Sequence, residues 1–176
     1  MAERHGEGLW EASRDPRIWR WLSIAQPATR AELDAWVDDA LRSAATGSEI
    51  PLVTVTGGRV VGSTRFLALR PEHRSLEIGW TWLHPDAWTT GVNVEAKLLM
   101  LRHAFATWGC RRVELKTDAR NDRSRGAMEA MGAVFEGIHR KHMLVRGGDN
   151  RDSAWYSVLD DEWPAVERGL TKRLRD

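Results

Sequence analysis

The fold is decided between residues 76 and 133, where the chain reads LEIGWTWLHPDAWTTGVNVEAKLLMLRHAFATWGCRRVELKTDARNDRSRGAMEAMGA. An apolar strand, the polar turn 88–93 and an amphipathic helix over 94–108 follow one another. A short strand over 112–116, a polar turn and a helix ended by Gly132 complete the stretch. The helix has one apolar face, because its apolar residues recur at intervals of four and three: Val94, Leu98, Leu101, Phe105 and Trp108. A strand, helix and strand in this order predict a crossover between parallel strands.

The flanking sequence adds helices before this stretch and strands on both sides of it. Helices are predicted over 3–12, from the Asp15-Pro16 pair, and after the capping box 29–32. Strands are predicted over 50–56 and 59–69, joined by Gly57-Gly58, and then over 75–83, 134–145 and 151–158. A closing helix should begin at Trp163. We therefore expect an α/β fold of the α+β type, with a mixed sheet and flanking helices, in a single domain over residues 1–176.

Composition excludes several classes of function. The chain has 26 Lys plus Arg against 25 Asp plus Glu, a net charge of +1, so nucleic acid is an improbable partner. The single cysteine, Cys110, cannot form an internal disulfide and fits core packing better than catalysis. No apolar run reaches the roughly 18 residues of a membrane span. We expect a cytoplasmic protein without a membrane partner. Some of the ten tryptophans should line a cleft.

The turn 88–93, Trp-Thr-Thr-Gly-Val-Asn, has the features of an anion site. It opens directly into a helix, and a helix N-terminus presents about four unpaired N–H groups and roughly half a positive charge. A phosphate is therefore its natural ligand. The glycine patterns of dinucleotide folds and P-loops are both absent. An ordinary strand-to-helix loop is the alternative interpretation.

A family resemblance rests on several segments that occur in order: residues 76–85, the turn 88–93, Glu95-Ala96, Asn121, Ser124 and 131–133. Together they resemble the GNAT superfamily of acetyl-CoA-dependent N-acyltransferases. Within it, the chain is most similar to the RimJ/RimL group, which acetylates protein N-terminal amines. Residues 151–152, 155–159 and 162–163 also resemble the final strand and tail of that group. The resemblance implies acetyl-CoA wedged between two splayed strands, 76–83 and 112–116, with no metal.

The same resemblance implies which residues bind the cofactor: Leu83, Trp88, Thr89, Thr90, Gly91, Val92, Asn93, Asn121, Ser124, Arg125 and Met128. In the family the phosphate loop is Gln/Arg-x-x-Gly-x-Gly/Ala, so Trp88 and Asn93 depart from the pattern. Backbone N–H groups and threonine hydroxyls remain as donors. Arg123, beside Ser124, is a further candidate for a phosphate contact.

Three residues are candidates for catalysis. Attack of an amine on a thioester needs a proton acceptor and an acid for the leaving thiolate. Glu77 is the first candidate acceptor; alternatively it pairs with a cation on a neighbouring strand. Ser124 is the candidate acid by resemblance, although it could equally cap its helix. Asp152 could bind the substrate amine or act as a second base, unless it forms a salt bridge with Arg151 or Arg146. Many relatives use a tyrosine as the acid, but Met128 occupies about that place.

The acceptor amine is either a peptide N-terminus or a small amine. An α-amine with a pKa near 8 needs little help to lose its proton at neutral pH. A non-catalytic acyl-CoA sensor or scaffold is the alternative function, because the usual tyrosine and phosphate loop are missing.

The family begins with a strand before its first helix, and no such strand is predicted here. Either this chain lacks the strand or the start site is late. Loss of an edge strand would favour a homodimer.

Strand alternation over 139–142 should place His139 and His142 on opposite faces, which argues against a metal site.

Overall fold

The computed structural model describes residues 1–175 and shows the predicted mixture of helices and strands. In chain order the elements are α1 (Gly6–Ala12), α2 (Arg30–Ala45), β1 (Ile50–Thr56), β2 (Arg59–Arg70), β3 (Ser75–Leu83), α3 (Val92–Arg102), β4 (Arg112–Asp118), α4 (Asp122–Met131), β5 (Val134–Val145), β6 (Asp149–Leu159) and α5 (Trp163–Arg173). The predicted order of elements is confirmed. The Asp15-Pro16 signal starts a 3₁₀ segment, Pro16–Trp21, in place of an α-helix.

Short-range hydrogen bonds explain where the N-terminal helices begin. The Asp15 carboxylate accepts from the backbone N–H of Arg17, which starts the 3₁₀ segment. The Thr29 hydroxyl oxygen accepts from Glu32 N–H at 3.2 Å. The Glu32 carboxylate accepts in turn from Ala28 N–H at 2.7 Å. Side chains thus satisfy N–H groups that the helix itself leaves unpaired.

The six strands form one sheet in the order β1-β2-β3-β4-β6-β5. Among the strands that the structure describes, only β3 and β4 pair in parallel, and α3 makes the crossover between them. Helices α3, α4 and α5 cover one side, which we call the α3 face; it carries the main core, with Leu76, Ile78 and Leu115. Helices α1 and α2 cover the other side, the α2 face, with Trp82.

The end of the crossover helix differs from the prediction. α3 ends at Arg102, and the chain continues as a wider π-helical turn over His103–Thr107. In this turn Trp108 N–H donates to the carbonyl of His103, five residues back, at 3.1 Å. A wider turn rotates the following residues around the helix axis. Trp108 therefore contacts the Phe66 ring with one side and is 40% exposed to solvent. The prediction that Trp108 belongs to the buried face of the helix is wrong.

The two histidines of 139–142 also lie differently from the prediction. The register between β5 and β6 shifts between His139 and Met143, and Lys141 has a left-handed φ of 50°. The bulge breaks strict alternation. The two imidazole rings lie 5.8 Å apart, and both contact the Trp155 ring. The expectation that they face opposite sides is wrong. Even so, within residues 1–175 no group of three or more potential ligands could hold a metal ion.

Across the same described residues, no helix is long and apolar enough to cross a membrane.

Candidate active site

A gap opens in the middle of the sheet, between β3 and β4. The two strands pair through only three residues each: Ser75 with Arg112, Leu76 with Val113 and Glu77 with Glu114. Beyond Glu77, β3 stays with β2, whereas β4 remains paired with β6 as far as Asp118. The predicted splay is confirmed. A cavity of about 460 Å³ occupies the opening, and its walls include residues from both faces of the sheet.

A bulge in β3 accompanies the divergence. Arg65 pairs with Gly79 but Ser63 pairs with Trp82, so β3 holds one extra residue there. Trp80 takes a left-handed φ of 52° at this point. Bulges bend a strand and change where its side chains point. Trp80 packs against Trp36 of α2, while the buried Arg65 guanidinium lies over its ring at 5.0 Å.

The loop before α3 closes one end of the cavity and is suited to an anion. Gly91 is the N-cap of α3 with φ 85°, and no side chain within residues 1–175 caps the helix. The first N–H groups of α3 are therefore available to a ligand. The threonine hydroxyls are not, because Thr90 donates to Ala87 O and Thr89 donates to Trp88 O. Thr89 itself has φ 63°, a strained conformation of the kind found at ligand clamps.

Arg123 adds the cation that the loop lacks. It lies at the start of α4, and its guanidinium stacks over the Trp88 ring at 3.6 Å. Both residues line the cavity beside Gly91. Partial burial lowers the pKa of Arg123 from its ordinary value. An anion bound here would meet main-chain N–H groups from one side and a guanidinium from the other.

The N-terminus of α4 forms the wall opposite α3 in the cavity. Asn121 caps α4, since its side-chain oxygen accepts from Ser124 N–H at 3.2 Å and its amide donates to Thr117 at 3.1 Å. Asn121 therefore takes the capping role considered for Ser124. The Ser124 hydroxyl makes no side-chain hydrogen bond among the described residues and lines the cavity with the buried Met128.

Glu77 lies where the strands separate, on the α2 face. Its carboxylate accepts from Lys116 Nζ of β4 at 2.8 Å and is 4% exposed. This is the cross-strand ion pair foreseen as the alternative to catalysis. Burial raises the pKa of Glu77, against the opposing effect of the Lys116 charge. A carboxylate with a raised pKa is a better proton acceptor near neutral pH.

Four predicted site residues lie outside the cavity wall: Thr90, Val92, Arg125 and Asp152. The Arg125 guanidinium instead donates to Tyr156 Oη at 3.1 Å and to Ala119 O at 3.2 Å. The exposed Asp152 carboxylate accepts from Lys141 N–H at 2.6 Å, and the described residues show no salt bridge to Arg151 or Arg146. The other predicted residues, from Glu77 to Met128, line one connected cavity.

Two buried cations of the cavity wall, Lys97 and Arg151, were not among the predicted site residues. Lys97 of α3 is buried, and its Nζ donates to Thr81 at 2.7 Å and Thr64 at 3.4 Å. Burial lowers the pKa of Lys97 to about 7. Its position three residues after Val94, on the apolar face of the helix, was the signal for its burial. Arg151 of β6, 8% exposed, lines the cavity near Glu77.

The last residue of the 3₁₀ segment and the two residues after it cover the α2 side of the cavity. Trp21, Leu22 and Ser23 line the wall there. The Arg146 guanidinium donates to Leu22 O at 2.7 Å, and its backbone N–H donates to Ser23 O. The tip of the β5–β6 hairpin therefore holds this segment in place. The cavity accordingly has one end on the α3 face, lined by the N-terminus of α3 and by Arg123, and another end on the α2 face, lined by tryptophans and by the charged residues Glu77, Lys116 and Arg151.

Comparison with known proteins gives a consistent result. A family model described as an acetyltransferase (GNAT) domain matches residues 1–134. The "Putative ribosomal N-acetyltransferase YdaF" of Bacillus subtilis (strain 168) is 26% identical over 149 residues, which are 84% of this chain and 80% of that protein.

Solved structures agree with this match. A GCN5-related N-acetyltransferase from Brucella melitensis is 35% identical, with a TM-score of 0.91 over 98% of this chain and 78% of that one. Mycobacterium smegmatis RimJ, solved with CoA-disulfide, is 19% identical, with a TM-score of 0.86 over 99% and 87% of the two chains. The second likeness shows the fold alone. The resemblance predicted from the motifs is confirmed.

Proposed function

Since this chain belongs to the GNAT acetyltransferases, we propose that it transfers an acetyl group from acetyl-CoA to a primary amine, with a protein N-terminal amine as the first candidate. The observation that carries the proposal is a continuous cavity through the β3–β4 gap. An anion site lines one of its ends and a buried carboxylate lines the other. The name of the B. subtilis relative makes ribosomal proteins the first acceptors to test.

The cavity fits acetyl-CoA in three respects. The uncapped N-terminus of α3 and Arg123 would hold the diphosphate. The buried side-chain oxygen of Asn93 has no hydrogen-bond donor among the described residues, and an amide N–H of the pantetheine arm would satisfy it. Leu83 and Met128 supply apolar wall for the arm. When bound, acetyl-CoA supplies an acetyl group activated as a thioester.

The residues around the gap handle the protons. Glu77, with its raised pKa, would take the proton from the acceptor amine directly or through water. Lys116 keeps that carboxylate charged in its buried site. The Ser124 hydroxyl would give a proton to the thiolate that leaves, and the proton held by Glu77 would return to Ser124 through water, so that both side chains are restored. No tyrosine is needed in this scheme, and the buried Tyr156 hydroxyl instead donates to Glu129 at 2.8 Å.

A non-catalytic acyl-CoA sensor is the second candidate function. Two observations favour it: Glu77 already forms an ion pair with Lys116, and the described cavity wall contains no tyrosine. The missing basic residue at Trp88 points the same way, although Arg123 compensates for it.

Release of free CoA distinguishes the two functions. The protein would be incubated with acetyl-CoA and a panel of acceptors: peptides with the N-terminal sequences of ribosomal proteins, polyamines and amino sugars. We expect thiol release with at least one acceptor, and a mass increase of one acetyl group on that acceptor. Binding of acetyl-CoA by calorimetry without release for any acceptor would support the sensor instead.

Location and assembly are part of the same proposal. The single Cys110 is compatible with a reducing compartment, and we propose the cytoplasm as the place of action. A homodimer through an exposed sheet edge remains a prediction, with β1 and β5 as the two outer strands of the described sheet. Sedimentation of the purified protein tests it.

A further inference from the structure

Arg151 is a buried cation that lines the cavity and forms no ion pair with another residue in the described part of the chain. Arg151 is 8% exposed, and it lines the cavity near the point where β3 and β4 separate. Its Nε atom is buried with no hydrogen-bond partner in the described part of the chain. Burial lowers the pKa of Arg151, and the charges of Asp118 and Glu77 oppose that effect. Both carboxylates are therefore close enough to act on it electrostatically.

Neither of these carboxylates forms an ion pair with Arg151, because each already has another partner. Glu77 binds Lys116 at 2.8 Å, and Asp118 binds the Arg120 guanidinium at 2.8 Å and its backbone N–H at 3.0 Å. Each of the two carboxylates that act on Arg151 is thus already paired with another cation. A buried cation that lacks its own anion is costly. A bound anion would remove that cost.

The position of Arg151 indicates which ligand, acetyl-CoA or the acceptor, carries the anionic group that it would bind. The proposed diphosphate-binding site at Gly91 and Arg123 lies at the α3 end of the cavity, whereas Arg151 lies with Glu77 on the α2 side. The anion should therefore come with the acceptor. A guanidinium binds a planar carboxylate through two parallel N–H bonds. The amine of the same molecule could then approach Glu77.

We propose that Arg151 binds a carboxylate of the acceptor, so that the protein selects amines carrying an acidic group close to the amine. The inference rests on the proposed acetyltransferase function and names its substrate class. The carboxylate has two possible sources: an acidic side chain near a peptide N-terminus, or the free carboxylate of an amino acid. Both present the same chemistry to the guanidinium.

Pairs of acceptors that differ only in the acid test the proposal. One pair is a serine-initiated hexapeptide with Glu or with Gln at the second position. The other pair is free serine and serinamide. With the wild-type protein and acetyl-CoA, kcat/KM should favour the acid by about tenfold or more in at least one pair, as expected for a charged hydrogen bond. The pair that shows the preference identifies the source.

Two variants tie the preference to Arg151. In Arg151→Gln the ratio of kcat/KM between acid and amide should fall to about one. The matched control, Arg140→Gln, changes an exposed arginine on the same hairpin and should keep the preference. Circular dichroism and acetyl-CoA binding by calorimetry report whether each variant is folded. If Arg151→Gln does not fold, the wild-type comparison and Arg151→Lys still test the proposal. Lysine keeps the charge but cannot form two parallel N–H bonds to a carboxylate, so the preference for the acid should be weaker than in the wild type.

A binding measurement separates this inference from the proposed function. N-acetylated forms of the same acids and amides are titrated into protein saturated with CoA. Tighter binding of the acids, lost in Arg151→Gln, would support the anion site even if no acceptor released CoA. Equal affinities and equal kcat/KM for acid and amide, or a preference that survives Arg151→Gln, would overturn the proposal.

Discussion

Replacing Lys97 by methionine should change how the folding stability depends on pH. Lys97 is buried, and its pKa is lowered from 10.5 to about 7 because burial disfavours the ammonium. Methionine has a similar length and no charge. The two threonines that accept from Lys97 remain satisfied without it, since Thr64 and Thr81 hydrogen-bond to each other at 2.8 Å. The substitution therefore removes the titration with little change in packing.

The sign follows from the protons bound in each state. Between the lowered pKa and 10.5, the unfolded lysine holds a proton that the folded one has lost, so the free energy of unfolding rises with pH. Over the whole window the gain is about 5 kcal/mol, and about half of it, ~2.5 kcal/mol, falls between pH 6 and pH 9. Below about pH 6 both states are protonated, and the contribution is constant at its minimum.

Urea denaturation at pH 6, 7, 8 and 9 measures this effect. The free energy of unfolding of Lys97→Met is subtracted from that of the wild type at each pH. We expect the difference to shift in favour of the wild type by ~2.5 kcal/mol from pH 6 to pH 9. Lys172→Met, at an exposed position of α5, is the control for loss of a lysine. A difference that stays constant over this range would show that Lys97 is solvated and charged, and would refute the reasoning.

Three further predictions concern the site. Lys116→Met removes the charge that opposes the raised pKa of Glu77, so the acid limb of the kcat/KM profile should move to higher pH; an unmoved limb would exclude Glu77 as the base. Ser124→Ala should lower kcat by roughly a hundredfold or more while the Kd of acetyl-CoA, measured by calorimetry, changes little; equal losses would assign Ser124 a structural role. Gly91→Ala, at φ 85°, should cost about 1 kcal/mol of stability and weaken acetyl-CoA binding, whereas Gly126→Ala in α4 should stabilise by about 0.5–1 kcal/mol. Thermal melts with and without acetyl-CoA check both, and a Gly91→Ala protein with unchanged affinity would show that the loop does not bind the diphosphate.

The site could be predicted where its chemistry depends on a local segment. The loop 88–93 had to precede a helix because the apolar period changes there, and its N–H groups then follow from helix geometry alone. Asn121, Ser124 and Met128, which the family resemblance implied, belong to one short helix and its cap, so their relative positions are also set locally. Asp152 and Arg125 were placed from sequence position. Hydrogen bonds to Lys141 and Tyr156, which are remote in sequence, direct them elsewhere.

By itself, the sequence determined the order of helices and strands, the parallel crossover and the anion-suited loop, because caps, turns and hydrophobic periods act over a few residues. Only the tertiary structure decided how far β3 and β4 stay paired, and which charged groups are buried between them. Lys97 and Arg151 acquire their properties from residues on other strands, Thr81 and Thr64 for the first, Glu77 and Asp118 for the second. Burial and charge compensation depend on such long-range neighbours, and a local pattern does not contain them.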